Sequence, residues 1–163
     1  MNYARNIVRM IILFLLQILL FNHLHLFGLC HPYVYIVGLL CMPLMPRWVD
    51  MLVGAVVGFT MDIACSSLGI HTMACILLTY LRPLLVAKIV QDPDRVVQDV
   101  YADSIGLGQF IRLAIILCLV HHGAVFMLDA WTFHGLGTTL LRWIISSGVS
   151  LLVILPYGLT RKS

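Results

Sequence analysis

Apolar residues fill long stretches of this chain, and short clusters of Pro, Gly, Asn, Asp and His separate them. These stretches are too long for membrane β-strands and lack a sustained two-residue alternation, so they read as helices. Six helices are predicted, over residues 7–26, 33–44, 48–65, 69–90, 110–129 and 136–159. A helix needs roughly 20 residues to cross a bilayer, and the second, bracketed by Pro32, Pro43 and Pro46, falls short. It reads as tilted, half-buried or re-entrant. Asp92 followed by Pro93 reads as a helix start inside the longest polar interval, residues 91–108. Beyond it Val96, Val97, Val100, Tyr101 and Ile105 recur at helical spacing opposite Asp99 and Asp103. That pattern predicts a short amphipathic helix, either a lid against the bundle or a docking element for a partner.

Composition turns helices into membrane helices. Hydrophobic residues make up 61% of the 163, and the charged set is ten Lys or Arg with seven Asp and no Glu. Soluble domains are about 25% charged; at 10% this chain lacks the surface a soluble globule needs. The mean hydropathy of +1.02 agrees. The expected fold is therefore an all-α integral membrane protein, a single polytopic domain over residues 1–163. A net charge of +3, scattered along the chain, excludes a nucleic-acid surface. Cys30, Cys41, Cys65, Cys75 and Cys118 are odd in number and lie in apolar segments, as buried free thiols do. Arg5 and Arg9 ahead of an apolar run imitate a signal peptide, but no small-x-small site follows. Leu29 also stands where a lipidated Cys30 would need a small neighbour, so the segment is expected to remain as a first membrane helix.

The basic residues suggest an orientation. With both termini inside, Arg5, Arg9, Arg47, Arg82, Lys88, Arg95, Arg112, Arg161 and Lys162 fall on the inner side, and Arg142 alone on the outer half. That bias favours an even number of crossings, six or four. Trp48 and Trp131 suit interfacial positions, whereas Trp143 does not.

Charges inside spans are costly and mark packing or function. Gly54, Gly58 and Asp62 recur every fourth residue and share one face of the third helix. The reading preferred for that face is close helix packing, ahead of an ion or substrate site. A short turn through Ser66, Ser67 and Gly69 makes helices three and four a hairpin, with Asp62 and His71 at comparable depth. They form either a charge-assisted hydrogen bond or, preferably, a lock on the hairpin. Arg82 is expected to snorkel to headgroups and Pro83 to disturb the helix at its exit. His121 and His122 point about 100° apart, so an interhelical hydrogen bond and a polar crevice are preferred over a proton relay. Asp129 and Arg142 flank the last hairpin and are expected to pair. Ser146, Ser147, Gly148 and Ser150 give the sixth helix a small polar face, and Gln17 offers an interhelical bond.

No catalytic or metal-binding motif is present, and no cofactor is expected: one Asp and one His fall short of a ligand set. His23, His25 and His31 read as interfacial residues. An ion channel and a secondary transporter are disfavoured, since there is no charged ring and no internal repeat.

In order and spacing, several blocks resemble the rod-shape-determining membrane protein family MreD, particularly its Bacteroidetes forms. They are Gln17 to Leu20 into Asn22–Gly28, Pro32 with Tyr33 and Tyr35, Leu44 to Pro46, and Gly54/Gly58/Asp62 into Leu68–Ala74. Tyr80–Pro83, His121–His122 and Ser146–Ser147 complete them. The resemblance implies a non-enzymatic inner-membrane subunit of the cell-elongation machinery. Such a subunit binds MreC and acts indirectly with MreB, RodA and a class B penicillin-binding transpeptidase in side-wall peptidoglycan synthesis. It also implies a six-helix bundle similar to the substrate-binding subunits of energy-coupling-factor transporters. Asp62, Gly69, His71, Arg82 and Pro83 would be family signature positions. That transporter likeness leaves a second reading open, a small-solute-binding membrane component. A lipid-pathway enzyme would need more converging charges than Asp62, His71, Asp129 and Arg142 supply.

Overall fold

A computed structural model describes residues 3–23, 30–90, 100–130 and 135–159, with side chains in the first helix from Val8 onward. Its regular elements are all helices: α1 (Tyr3–Leu19), α2 (Ile36–Cys41), α3 (Arg47–Cys65), α4 (Ile70–Ile89), α5 (Ala102–Ile105), α6 (Leu107–Ala130) and α7 (Leu136–Leu159). A single 3-10 turn, Phe21–His23, follows α1. Among the described residues four helices, α3, α4, α6 and α7, are long and apolar enough to cross a membrane. The apolar part of α1, Val8–Leu19, is shorter.

The expected second spanning helix, residues 33–44, is corrected by the structure. Only six residues, Ile36–Cys41, are helical there, and all six are buried. At 1.5 Å per residue they cover about 9 Å, well short of a hydrocarbon core of roughly 30 Å. Among the described residues four helices meet the length, and residues 33–44 do not form another of that kind. The Asp92–Pro93 start, Val96, Val97 and Asp99 lie outside the described residues, as do His25, Trp131, Arg95, Arg161 and Lys162. What is described of the polar interval is a one-turn helix, α5, with Val100, Tyr101 and Ile105 buried against the bundle. The exposed Asp103 faces away from it.

The bundle is built on antiparallel neighbours. α3 packs on α4, α4 on α6, and α6 on α7. α6 is the most enclosed, with half of its best 18-residue window buried against 22% for α7. We call the end carrying the α3–α4 turn the turn end. α3 starts after Pro46 and stops at Ser66, which adopts the left-handed conformation (φ 55°) while its amide and that of Ser67 bond the Asp62 carbonyl. α4 opens after Gly69, also left-handed (φ 86°). Pro83 lies inside α4, which runs on to Ile89.

Two glycines set the distance between α3 and α4. A methyl group on Gly58 would sit 2.5 Å from the Thr72 Cα and 2.6 Å from the His71 carbonyl oxygen, both backbone atoms that cannot rotate away. On Gly54 it would meet Thr79 and the Cys75 carbonyl. The shared face is therefore a contact between helices. Gly148, expected to serve the same purpose on α7, is exposed with open space beside it.

Gly58→Ala is expected to wedge the hairpin apart and destabilise the protein by about 1–3 kcal/mol, the usual cost of overpacking. Gly148→Ala should be neutral or slightly stabilising. Thermal unfolding of the two variants in one detergent compares them, and equal midpoints would refute the close-contact account.

Candidate functional site

Residues 30–43 run through the bundle interior. Pro32 and Val34 meet Gln17 of α1, Tyr35 lies among His71, Cys75 and His121, and Leu39 and Pro43 reach Arg82. The segment thus follows α4 from the turn end to the opposite end. Residues 31–34 form no helix, so no helical ladder serves their amides. Side chains supply them. The His31 amide donates to Ser146 Oγ (2.9 Å), the Tyr33 amide to Ser150 Oγ (3.0 Å) and the Val34 amide to Gln17 Oε1 (2.7 Å). Gln17 Nε2 donates in turn to the Pro32 carbonyl (3.0 Å). Gln17 and both serines are fully buried. Non-helical backbone inside a membrane bundle persists only where protein satisfies it, and here α1 and α7 do so.

Arg82 closes the far end of this path. Its guanidinium donates to the Leu39 and Pro43 carbonyls, and Asp50 lies 3.5 Å away, with both side chains at 0% exposure. The expected snorkelling is therefore overturned. α4 continues about two turns beyond Arg82, and the frayed end of α2 offers carbonyls closer than any headgroup. Asp50, on the first turn of α3, was not singled out from sequence. Equal sequence distances of Asp50 and Arg82 from Ser66, the hairpin's hinge, are the signal that would have found it.

Asp62 and His71 meet, though through the backbone. Asp62 Oδ1 accepts the His71 amide (2.9 Å) and the Ser67 hydroxyl (2.6 Å), while Oδ2 accepts the Thr72 amide (2.9 Å) and the Thr72 hydroxyl. The carboxylate thus caps the free amides at the start of α4, where negative charge is favoured. The His71 ring turns inward instead, with Nδ1 3.3 Å from the Tyr35 hydroxyl. Tyr35, a residue to which sequence reasoning assigned no role, also lies 2.8 Å from His121 Nε2 and 3.3 Å from Cys75 Sγ.

His122 serves a separate branch. Its Nδ1 lies 3.0 Å from the Cys118 carbonyl, which can only accept, so Nδ1 carries the proton and Nε2 accepts from Ser150 Oγ at 3.0 Å. Ser150 and His122 therefore resemble a nucleophile and its base. Both are fully buried, however, and Ser150 already accepts the Tyr33 amide.

Asp129 and Arg142 do not pair: among the described residues the one ion pair is Asp50–Arg82. Both are exposed and line a cavity of about 550 Å³ at the turn end, with Gln17, Tyr33 and His71 in its wall. Among the described residues no group of three or more His, Cys, Asp or Glu is placed to hold a metal ion. No known family profile, curated protein or solved structure matches this chain.

Gln17→Leu removes the partners of the Val34 amide and the Pro32 carbonyl, each orphaned group costing roughly 1–3 kcal/mol. The expected result is a lower unfolding midpoint together with faster amide hydrogen exchange across residues 33–35. Native-like protection there would contradict the assignment. Arg82→Met should be worse still, by about 3–5 kcal/mol, because it strands Asp50. Combining it with Asp50→Leu should recover part of that loss in the same melting assay.

Proposed function

We propose that the chain is a non-enzymatic scaffold of the MreD kind, a six-pass protein of the bacterial inner membrane with both termini cytoplasmic. The helical unit holds a single-span partner of the MreC type and helps direct side-wall peptidoglycan synthesis. Support for six passes comes from the path of residues 30–43, which travels the length of the bundle without a long helix. Support for the orientation comes from the basic residues, with Arg82 now set aside as an interior group. The transporter-like bundle stays part of the same reading, on the resemblance alone.

One observation carries the scaffold reading: five interior polar side chains hold the protein's own backbone, although Asp50, His121 Nδ1 and Ser147 keep buried polar atoms without a hydrogen bond. Gln17, Ser146, Ser150 and Arg82 bond residues 31–43, and Asp62 bonds the start of α4. Buried polar groups used this way rigidify a fold and leave the work of recognition to its outer faces. Leu52, Val56, Phe59 and Ile63 on α3 are exposed, as are Leu140, Ile144 and Leu152 on α7. Such faces suit contact with lipid or with a partner's membrane helix. The turn-end cavity supports the second reading, a small-solute-binding component.

Photoreactive residues at Phe59 and Ile144, crosslinked in living cells, are expected to give an adduct with a single-span MreC-like protein. Depletion of the chain should widen the cells. Adducts to lipid alone with unchanged width would overturn the proposal, and saturable uptake of a soluble solute would favour the second reading.

A further inference from the structure

A second hollow lies along the same helices as the turn-end cavity, one turn further from the turn end. An apolar groove of about 350 Å³ is lined by Met10, Phe14 and Leu15 of α1 and by Val56, Val57 and Thr60 of α3. The cavity above it takes Ile18 of α1, Phe21 of the 3-10 turn that follows it, and Ala64 and Cys65 from the last turn of α3. Tyr35 backs the groove, and Pro32 and Tyr33 back the cavity. The two hollows share no lining residue but lie in line along the same three elements, and together they make up a crevice that is apolar along α1 and α3 and polar at the turn end. α1 and α3 are not among the helix pairs in extensive contact, which fits a gap between them.

Its polar end carries opposite charges that do not neutralise each other. Asp129 and Arg142 line the cavity without pairing, beside the buried Gln17 and His71. The volume falls within the roughly 300–1,000 Å³ typical of ligand sites. A ligand suited to it has a cation and an anion in one headgroup and an acyl chain to lay along α1 and α3. We propose that this crevice binds one phospholipid with a zwitterionic headgroup. Its ammonium faces Asp129, its phosphate faces Arg142 through charge-assisted hydrogen bonds, and one chain occupies the groove. The soluble headgroup alone has the same charges, so the apolar half of the crevice is what selects a lipid. This inference does not rest on the scaffold reading, because its test needs no partner protein.

Native mass spectrometry of the purified full chain, released from detergent, provides the test with three probes. They are a phosphatidylethanolamine, a phosphatidylglycerol of the same chains, and water-soluble glycerophosphoethanolamine. The expected result is a one-lipid adduct retained preferentially for phosphatidylethanolamine and weakened roughly tenfold or more in Arg142→Gln and Asp129→Asn. Both side chains are exposed, so the fold should tolerate the changes, and unaltered melting checks this. Val56→Trp, which fills the groove, should also weaken retention, whereas Leu152→Trp on the lipid-facing side of α7 should not. Equal adducts for both lipids and all variants mean annular lipid only and overturn the site. Tight binding of glycerophosphoethanolamine, unaffected by Val56→Trp, overturns the lipid in favour of a free solute.

Discussion

A peptide backbone inside a bilayer has no water to bond, and residues 31–34 cross the interior of this bundle without a helix to satisfy them. Much of the interior polar chemistry follows from that. Interhelical side-chain bonds are worth only roughly 0.6–2 kcal/mol each, since unfolded membrane helices also find partners. An unsatisfied amide in hydrocarbon costs several kcal/mol. Gln17, Ser146 and Ser150 therefore matter mainly for the penalty they remove, and their loss should be felt at the segment they hold more than at their own helices. His122 belongs to the same account, since its bond to Ser150 fixes the hydroxyl that receives the Tyr33 amide.

The α3–α4 hairpin supplies the rigid wall against which that segment is held. Its two ends are secured differently. At the turn end, Asp62 reaches across to the first amides of α4, and Gly58 lets the two backbones come close enough for it. At the other end Asp50 lies 3.5 Å from Arg82, whose two terminal nitrogens donate to the Leu39 and Pro43 carbonyls. Arg82 is thus the joint between the hairpin and the interior segment. A buried ion pair alone is weak support for stability; here the guanidinium also satisfies carbonyls that α2 leaves free, which an apolar pair could not do.

Much of the hairpin was legible in the sequence. Gly54, Gly58 and Asp62 at four-residue spacing announce a packed face, and the Ser66–Gly69 turn announces the reversal. Helices α3, α4, α6 and α7 follow from apolar length alone. Residues 33–44 were harder, because a short apolar run bounded by prolines looks alike whether it ends as a tilted helix or as interior backbone. Only knowledge of who bonds its amides separates the two, and those donors and acceptors lie far away at Gln17, Ser146 and Ser150. The same gap misplaced Arg82: near a helix end it looks like a snorkelling residue until the buried end of α2 is known to lie beside it. Asp129 and Arg142 showed the reverse error, since similar depth in sequence does not make two exposed side chains converge.

Gln17, Ser146, Ser150 and Asp62 inside the bundle are committed to its own backbone, whereas Asp129 and Arg142 at the rim are not. Inside, Ser150 and His122 have the spacing of a reactive pair, yet the serine is engaged by a backbone amide and the imidazole by a carbonyl of its own helix. That hydroxyl oxygen is already committed to the Tyr33 amide in a closed interior. At the rim, Asp129 and Arg142 carry no such obligation, and their charges can be met from outside without disturbing the fold. Recognition at the turn end and along the exposed faces of α3 and α7 would therefore leave the interior bonds in place. The proposed scaffold reading rests on that difference between a committed backbone segment and an open rim.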